Sequence, residues 1–243
     1  MKPVVIATAT MYKSLQDVRA QLAAATIQEA KKHGYPIVIV DESPDESTRE
    51  HFRNLGAITF PAEKPGMGHS RRQVIREASN LAGPDGIVAW VEPEKHAFIP
   101  FLGMIAEVME SQSADFVSPR RKSLESYPLF QQHFEWLGNR AFQMLTGRDL
   151  DVWFGPRIFR PDIAPFFLAY QGEYGDKWDS LFVPVLRIIK AEKKVIEVKV
   201  DYTYPSEQAT EEENNFLFFM RRIEQLTSLV ESLEKECKAL GLP

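Results

Sequence analysis

Three short stretches of this chain set carboxylates, glycines and an arginine where they could handle a phosphate or a hard cation. The first is Val40-Asp41-Glu42-Ser43, whose acids follow an apolar run and can accept hydrogen bonds from a ribose or a base. The competing reading is helix capping by Ser43, Asp45 and Ser47. The second is Gly66-Met67-Gly68-His69-Ser70-Arg71. Glycines ahead of a helix start let backbone N–H groups approach a phosphate, and Arg71 can neutralise a diphosphate; the alternative is a loop leading into a solvated basic face. The third is Glu92-Pro93-Glu94. Two carboxylates one residue apart at the end of a buried strand can hold Mg²⁺ or Mn²⁺ through oxygen, and such an ion can bridge a nucleotide diphosphate. An acidic turn is the plainer alternative.

The elements needed to bring these stretches together are readable from apolar patterning. Residues 4–9 form a β-branched apolar run, which predicts a central strand buried on both faces. Helical spacing over 15–33, ended by Gly34, leads to a second apolar run at 37–40 that stops at Asp41. This is a βαβ unit, and open α/β sheets bind ligands outside the carboxyl ends of their strands. Helices are predicted over 45–55, 69–81 and 98–111, and strands over 57–60, 87–91 and 115–118. This alternation predicts an α/β fold with a mostly parallel central sheet flanked by helices. Further on, the pattern predicts helices over 130–145 and 180–191, a strand or loop over 152–160 and a half-buried strand over 194–202. Last comes a long helix over 211–240, whose apolar stripe packs on the domain or on a second subunit of a homodimer. We therefore divide the chain into a catalytic domain over 1–210 and a C-terminal helix over 211–243.

Composition sets the outer bounds. With 243 residues and 44% hydrophobic content, the chain can bury a large core without a disulfide or structural metal. A net charge of −5 gives no electrostatic footprint for nucleic acid. No window reaches the roughly 20 apolar residues of a transmembrane segment. The single cysteine, Cys237, fits a reducing compartment, and the expected localisation is cytoplasmic.

Taken in order, the three stretches resemble glycosyltransferase family 2, with its GT-A fold. That family typically runs from a Val-Asp-Asp-Gly-Ser segment, through a Gly-rich helix start, to an Asp-x-Asp metal motif. The likeness continues through Trp136-Leu137-Gly138-Asn139-Arg140 and Leu145-Thr146-Gly147, which resemble a helix of dolichyl-phosphate-mannose-synthase-like enzymes. Asp151-Val152-Trp153-Phe154-Gly155-Pro156-Arg157 stands where those enzymes carry an Asp, two residues and Ser-Gly-Phe-Arg. Trp178-Asp179-Ser180-Leu181 resembles a segment of mannosylglycerate-synthase-like enzymes.

The resemblance implies a metal-dependent glycosyltransferase that moves a hexosyl group from a nucleoside diphosphate sugar donor to an acceptor hydroxyl. It implies nucleotide-sugar-binding roles for Thr8, Asp41, Glu42, Arg71 and Arg157, metal ligation by Glu92 and Glu94, and catalytic roles for Asp151 and Asp179. The Arg-rich segment that polyprenyl-phosphate enzymes carry after this strand is replaced by Tyr204-Pro205-Ser206-Glu207-Gln208, which favours a polar or anionic acceptor over a lipid phosphate. The basic loop Ser118-Pro119-Arg120-Arg121-Lys122 is a candidate for meeting such an acceptor.

Two other functions compete. A nucleotidyltransferase would want a glycine-rich loop after the first strand, and Thr8-Ala9-Thr10-Met11-Tyr12-Lys13 contains no glycine. A non-catalytic sugar-nucleotide-binding relative is motivated by glutamates standing where the metal motif has aspartates.

Overall fold

A computed structural model describes residues 2–242. Seven strands form one sheet: β1 (Val4–Thr10), β2 (Ile37–Asp41), β3 (Ile58–Pro61), β4 (Ile87–Trp90), β5 (Phe116–Arg121), β6 (Arg157–Phe159) and β7 (Val195–Val200). The helices are α1 (Val18–Lys32), α2 (Glu46–Leu55), α3 (Met67–Ala82), α4 (Leu102–Ser111), α5 (Leu129–Thr146), α6 (Ala164–Leu168), α7 (Val183–Lys190), α8 (Ser206–Glu212) and α9 (Phe216–Leu240).

The strand order is β3-β2-β1-β4-β6-β5-β7. All pairings are parallel except those of β6, which runs against both β4 and β5. The expected mostly parallel sheet is therefore present, and the aromatic stretch at 152–160 supplies its one reversed strand. That reversal matters for position. The start of β6, rather than its end, meets the carboxyl edge of the sheet, with Arg157 in register with Trp90.

Strand alternation divides the core in two. Val4, Ile6, Ile37 and Ile39 face one side, where α1 and α4 contribute Ala23, Ile27, Leu102 and Ile105. Val5, Ala7, Val38 and Val40 face the other, where α3, α7 and α9 contribute Val74, Ala78, Leu186, Leu229 and Leu233. Side chains buried on both faces explain why the early strands read as unbroken apolar runs.

The helix ends follow local chemistry. Asp45 caps α2 by accepting from Ser47 N at 2.9 Å, so the capping reading of this stretch holds for that residue. The predicted helix over 211–240 is in fact two. Asn214 adopts a left-handed φ of 61°, and Asn215 caps a new start at Phe216 by accepting from Phe218 N at 3.2 Å. Glu212, at the end of α8, is completely buried, which holds the chain there before α9 begins. Among the described residues no helix is long and apolar enough to cross a membrane.

Candidate active site at the carboxyl edge of the sheet

Strands β1, β2 and β4 run parallel, so their ends deliver Thr8, Asp41 and Glu92 to one edge. The register pairs Thr10 with Asp41 and Ala7 with Trp90. Arg71 reaches the same edge from the start of the second turn of α3, its guanidinium carbon 5.5 Å from the Trp90 ring centroid. The acids and arginine singled out in the sequence thus converge on one rim.

Their bonding differs from residue to residue. Asp41 is 1% exposed and accepts from Thr10 Oγ1 and Ser43 Oγ, each at 2.7 Å, with Arg49 Nη1 at 3.4 Å from its other oxygen. It ties the ends of β1 and β2 together. Glu42 accepts from Gly66 N at 2.7 Å and from Ser70 Oγ at 2.6 Å. The start of α3, read from sequence as a phosphate cradle, therefore already carries a protein carboxylate. Gly68 is needed for another reason: its N–H donates to the Asp176 carbonyl at 3.0 Å, and a Cβ there would overlap the Asp176 side chain. Arg72 then grips the Asp176 carboxylate at 2.6 and 2.8 Å. This helix start is filled from within the chain, since its N–H groups are stabilised by any nearby anion, side chains included.

Two arginines stand apart from this pattern. Arg71 donates to the Lys177 carbonyl at 2.7 Å and to Ser180 Oγ at 3.1 Å and keeps part of its surface exposed. Arg157 is 0% exposed and donates only to the carbonyls of Pro156 at 3.0 Å and Val152 at 2.6 Å, leaving its Nε without a partner. Neither forms an ion pair with a carboxylate among the described residues. Desolvation lowers both guanidinium pKa values to about 10, opposed in each case first by the charge of Glu92.

Glu92 lies within the field of both, and its Oε2 is shut off from solvent with no hydrogen-bond partner. Gly155, at φ 104°, allows that placement, because a Cβ there would overlap the carboxylate. Thr8 Oγ1 and Trp90 Nε1 are also buried and unpartnered. Buried polar atoms are nearly always satisfied, so such a group of orphans marks a place where ligand or ordered water completes the bonding.

Glu94 sits two residues on. Burial raises its carboxyl pKa above the ordinary value, and the charge of Arg19, 3.4 Å away, is the main opposing influence. The charge of Glu92 adds to the cost of ionising Glu94. A hard cation would relieve that cost, and Mg²⁺ is commonly bound by one or two carboxylates together with substrate phosphates. The orphaned Glu92 oxygen and the desolvated Glu94 carboxylate therefore fit a divalent ion. Among the described residues no group of three or more His, Cys, Asp or Glu forms a self-sufficient metal cage.

The two acids expected to be catalytic are both committed to bonds within the chain. Asp151 accepts from Arg121 Nε at 2.9 Å, Arg121 Nη2 at 2.6 Å, Arg121 N at 3.1 Å and Asn139 Nδ2 at 2.7 Å. Burial alone would raise its pKa, but the charge and hydrogen bonds of Arg121 outweigh that and hold it below the ordinary value. Asp179 accepts from Tyr170 Oη and from the N–H groups of Asp176 at 3.0 Å and Lys177 at 2.7 Å. It closes the loop that covers the start of α3.

A second cluster was only partly readable in the sequence. Arg121, Tyr127, Tyr202 and Lys95 gather around Phe154: the Arg121 guanidinium lies 4.9 Å and Lys95 Nζ 4.9 Å from its ring centroid. Arg121 Nη1 and the hydroxyls of Tyr127 and Tyr202 are buried without partners. The basic loop at 118–122 had singled out Arg121; nothing marked Lys95 or the tyrosines, which arrive from other elements.

No family model matches the sequence, and no curated protein matches it either. Solved structures do match. Glucosyl-3-phosphoglycerate synthase from Mycobacterium tuberculosis, in complex with Mn²⁺, UDP and glucosyl-3-phosphoglycerate, superposes with a TM-score of 0.61 at 13% identity. The match covers 98% of this chain and 81% of that one. The same enzyme with phosphoglyceric acid gives a TM-score of 0.63 at 12% identity, over 98% of this chain and 81% of that one. With Mn²⁺, UDP-glucose and glycerol 3-phosphate the TM-score is 0.58 at 14% identity, again over 98% and 81%. At these identities the likeness is one of architecture, and the architecture is the GT-A fold of nucleotide-sugar glycosyltransferases.

Proposed function

We propose that this protein transfers a hexosyl group from a nucleoside diphosphate sugar to a hydroxyl of a polar, anionic acceptor, with Mg²⁺ or Mn²⁺ held by Glu92 and Glu94. The observation that carries the reading is the excess of unpaired guanidinium charge at the rim. Arg71 and Arg157 both lack a carboxylate partner, and leaving a desolvated cation uncompensated is expensive. A diphosphate supplies the missing negative charge. Arg71 can touch it directly, whereas sealed Arg157 acts through the field it exerts on Glu92. A divalent ion bound by the two glutamates would add its charge where the diphosphate departs.

The acceptor side rests on Arg121 Nη1, Tyr127 Oη and Tyr202 Oη, three unpartnered donors beside Lys95, which suit a carboxylate or phosphate. The M. tuberculosis enzyme of the same fold has been solved with phosphoglyceric acid and with glycerol 3-phosphate, and the present reading extends that acceptor chemistry to this chain.

Asp151 accepts four hydrogen bonds and Asp179 three, all from within the chain, so neither serves as the general base in this reading. The acceptor hydroxyl hands its proton to the departing phosphate oxygen on the same face, and the anomeric configuration of the donor is retained. The experiment is a thermal-shift and calorimetric screen of nucleoside diphosphates with and without Mn²⁺, followed by NMR of the glycoside formed. Stabilisation by at least one diphosphate, dependent on Mn²⁺, is expected. A screen in which none binds rejects the assignment, and an inverted product rejects the same-face proton transfer.

A further inference from the structure

The most heavily bonded carboxylate outside the acids already discussed is Glu212. It is 0% exposed and accepts from Arg19 Nη2 at 2.6 Å, Tyr204 Oη at 2.8 Å, Gln208 Nε2 at 3.0 Å and the Gln131 side-chain amide. Arg19, in the first turn of α1, does not belong to Glu212 alone. Its Nη1 also points at Glu94 Oε1 at the longer distance of 3.4 Å, and its Nε lies 3.9 Å from half-exposed Glu211. The guanidinium is stacked over Phe218, 5.1 Å from the ring centroid, in the first turn of α9. One side chain thus links the candidate cation ligand Glu94 to both α8 and the start of α9.

This arrangement sets up a competition. Glu94 is desolvated and leans on Arg19 for its compensating charge. A dication arriving at Glu94 satisfies that carboxylate far better and repels the guanidinium. Arg19 has a short, strong bond waiting at Glu212 and an incompletely closed one at Glu211, so it can leave Glu94 without becoming an orphan.

We propose that Arg19 is the exchangeable counter-ion of Glu94, and that loading of the site moves its guanidinium wholly onto Glu211 and Glu212, clamping residues 206–218 against the rim. The proposal rests on the glycosyltransferase reading given above, because it needs Glu94 to meet a cation. By linkage the coupling is reciprocal: holding 206–218 in place favours cation binding as much as the cation favours the clamp.

The test measures amide hydrogen exchange of the full-length chain over 206–218, with and without UDP plus Mn²⁺, alongside calorimetric binding of the same pair. In the wild type, loading slows exchange of this segment about tenfold, within the usual range of site–site coupling. In Arg19→Met, which keeps an unbranched stem and loses the charge, Mn²⁺–UDP binds as tightly as in the wild type or more tightly, and exchange of 206–218 no longer responds. Glu211→Gln, at an exposed position, folds as the wild type and shows a reduced response. Wild-type binding with unchanged exchange over 206–218 overturns the clamp and leaves the site reading standing. An Arg19→Met variant that still slows exchange on loading also overturns it. Failure of the wild type to bind Mn²⁺–UDP at all removes the site reading and the clamp together.

Discussion

Gly155→Ala probes the site with a single methyl group. The backbone there has φ 104° and ψ −49°, outside the regions that side chains favour, and the added Cβ would overlap the Glu92 carboxylate. The backbone strain alone is about 1–3 kcal/mol. At this chain length each kcal/mol moves the melting temperature by about 2–4 °C, so a fall of roughly 2–12 °C is expected. Gly147→Ala is the control, since Gly147 has φ 67° and open space around its Cα, and alanine there incurs only left-handed strain of about 1–2 kcal/mol. The informative difference between the two lies in binding. Gly155→Ala must push Glu92 off its position, from which its charge acts on both Arg71 and Arg157, whereas Gly147→Ala leaves the rim untouched. Calorimetry should find Mn²⁺–UDP affinity reduced at least about tenfold in Gly155→Ala, equivalent to roughly 1.4 kcal/mol, and unchanged in Gly147→Ala. A folded Gly155→Ala protein with wild-type affinity would refute the assignment of Glu92 to the site.

Other perturbations read separate parts of the molecule. Asp151→Asn leaves Arg121, 1% exposed along its side chain, with Glu135 as its only carboxylate, and should reduce stability by about 3 kcal/mol in urea unfolding. Because the pKa of Asp151 is held below its unfolded value, its contribution is complete above about pH 4 and is lost as pH falls through the lowered native value. Wild-type stability should therefore decline in acid more steeply than that of Asp151→Asn; equal slopes would remove Asp151 from the account. Burial, aided by Glu236, raises the Cys237 thiol to about 11, so a disulfide reagent at pH 8 should modify it only upon unfolding, as followed by absorbance. Glu92→Gln combined with Glu94→Gln should abolish Mn²⁺-dependent stabilisation by UDP. If the stabilisation persists undiminished, the ion is held elsewhere.

The scaffold was legible because its signals are local. Apolar runs at 4–9, 37–40 and 87–91 name doubly buried strands, and helical spacing between them names the crossovers, so the gathering of Asp41, Arg71 and Glu92 on one rim follows from topology. What each acid does there was not legible. Glu42 finds Ser70 and Gly66, Asp151 finds Arg121, and Asp179 finds Tyr170, partners that only the folded chain brings within reach. A carboxylate saturated by its own chain and one left open look identical in a sequence. The break between α8 and α9 was hidden for a similar reason. Residues 211–240 keep helical spacing throughout, and only the burial of Glu212 by Arg19, Gln131 and Tyr204 reveals why the chain turns there. The direction of β6 was equally hidden, because three residues carry no pattern that distinguishes parallel from antiparallel pairing.

That reversed strand has a consequence for how the protein can diversify. Residues 147–156 enter the sheet from the mouth of the site and contribute Asp151, Phe154 and Gly155 on the way, while only Arg157 to Phe159 are held by ladder bonds. Lengthening or rewriting this approach would reshape the wall nearest the proposed acceptor side without shifting a single strand pairing, so under that proposal substrate preference can drift here while the framework stays as it is.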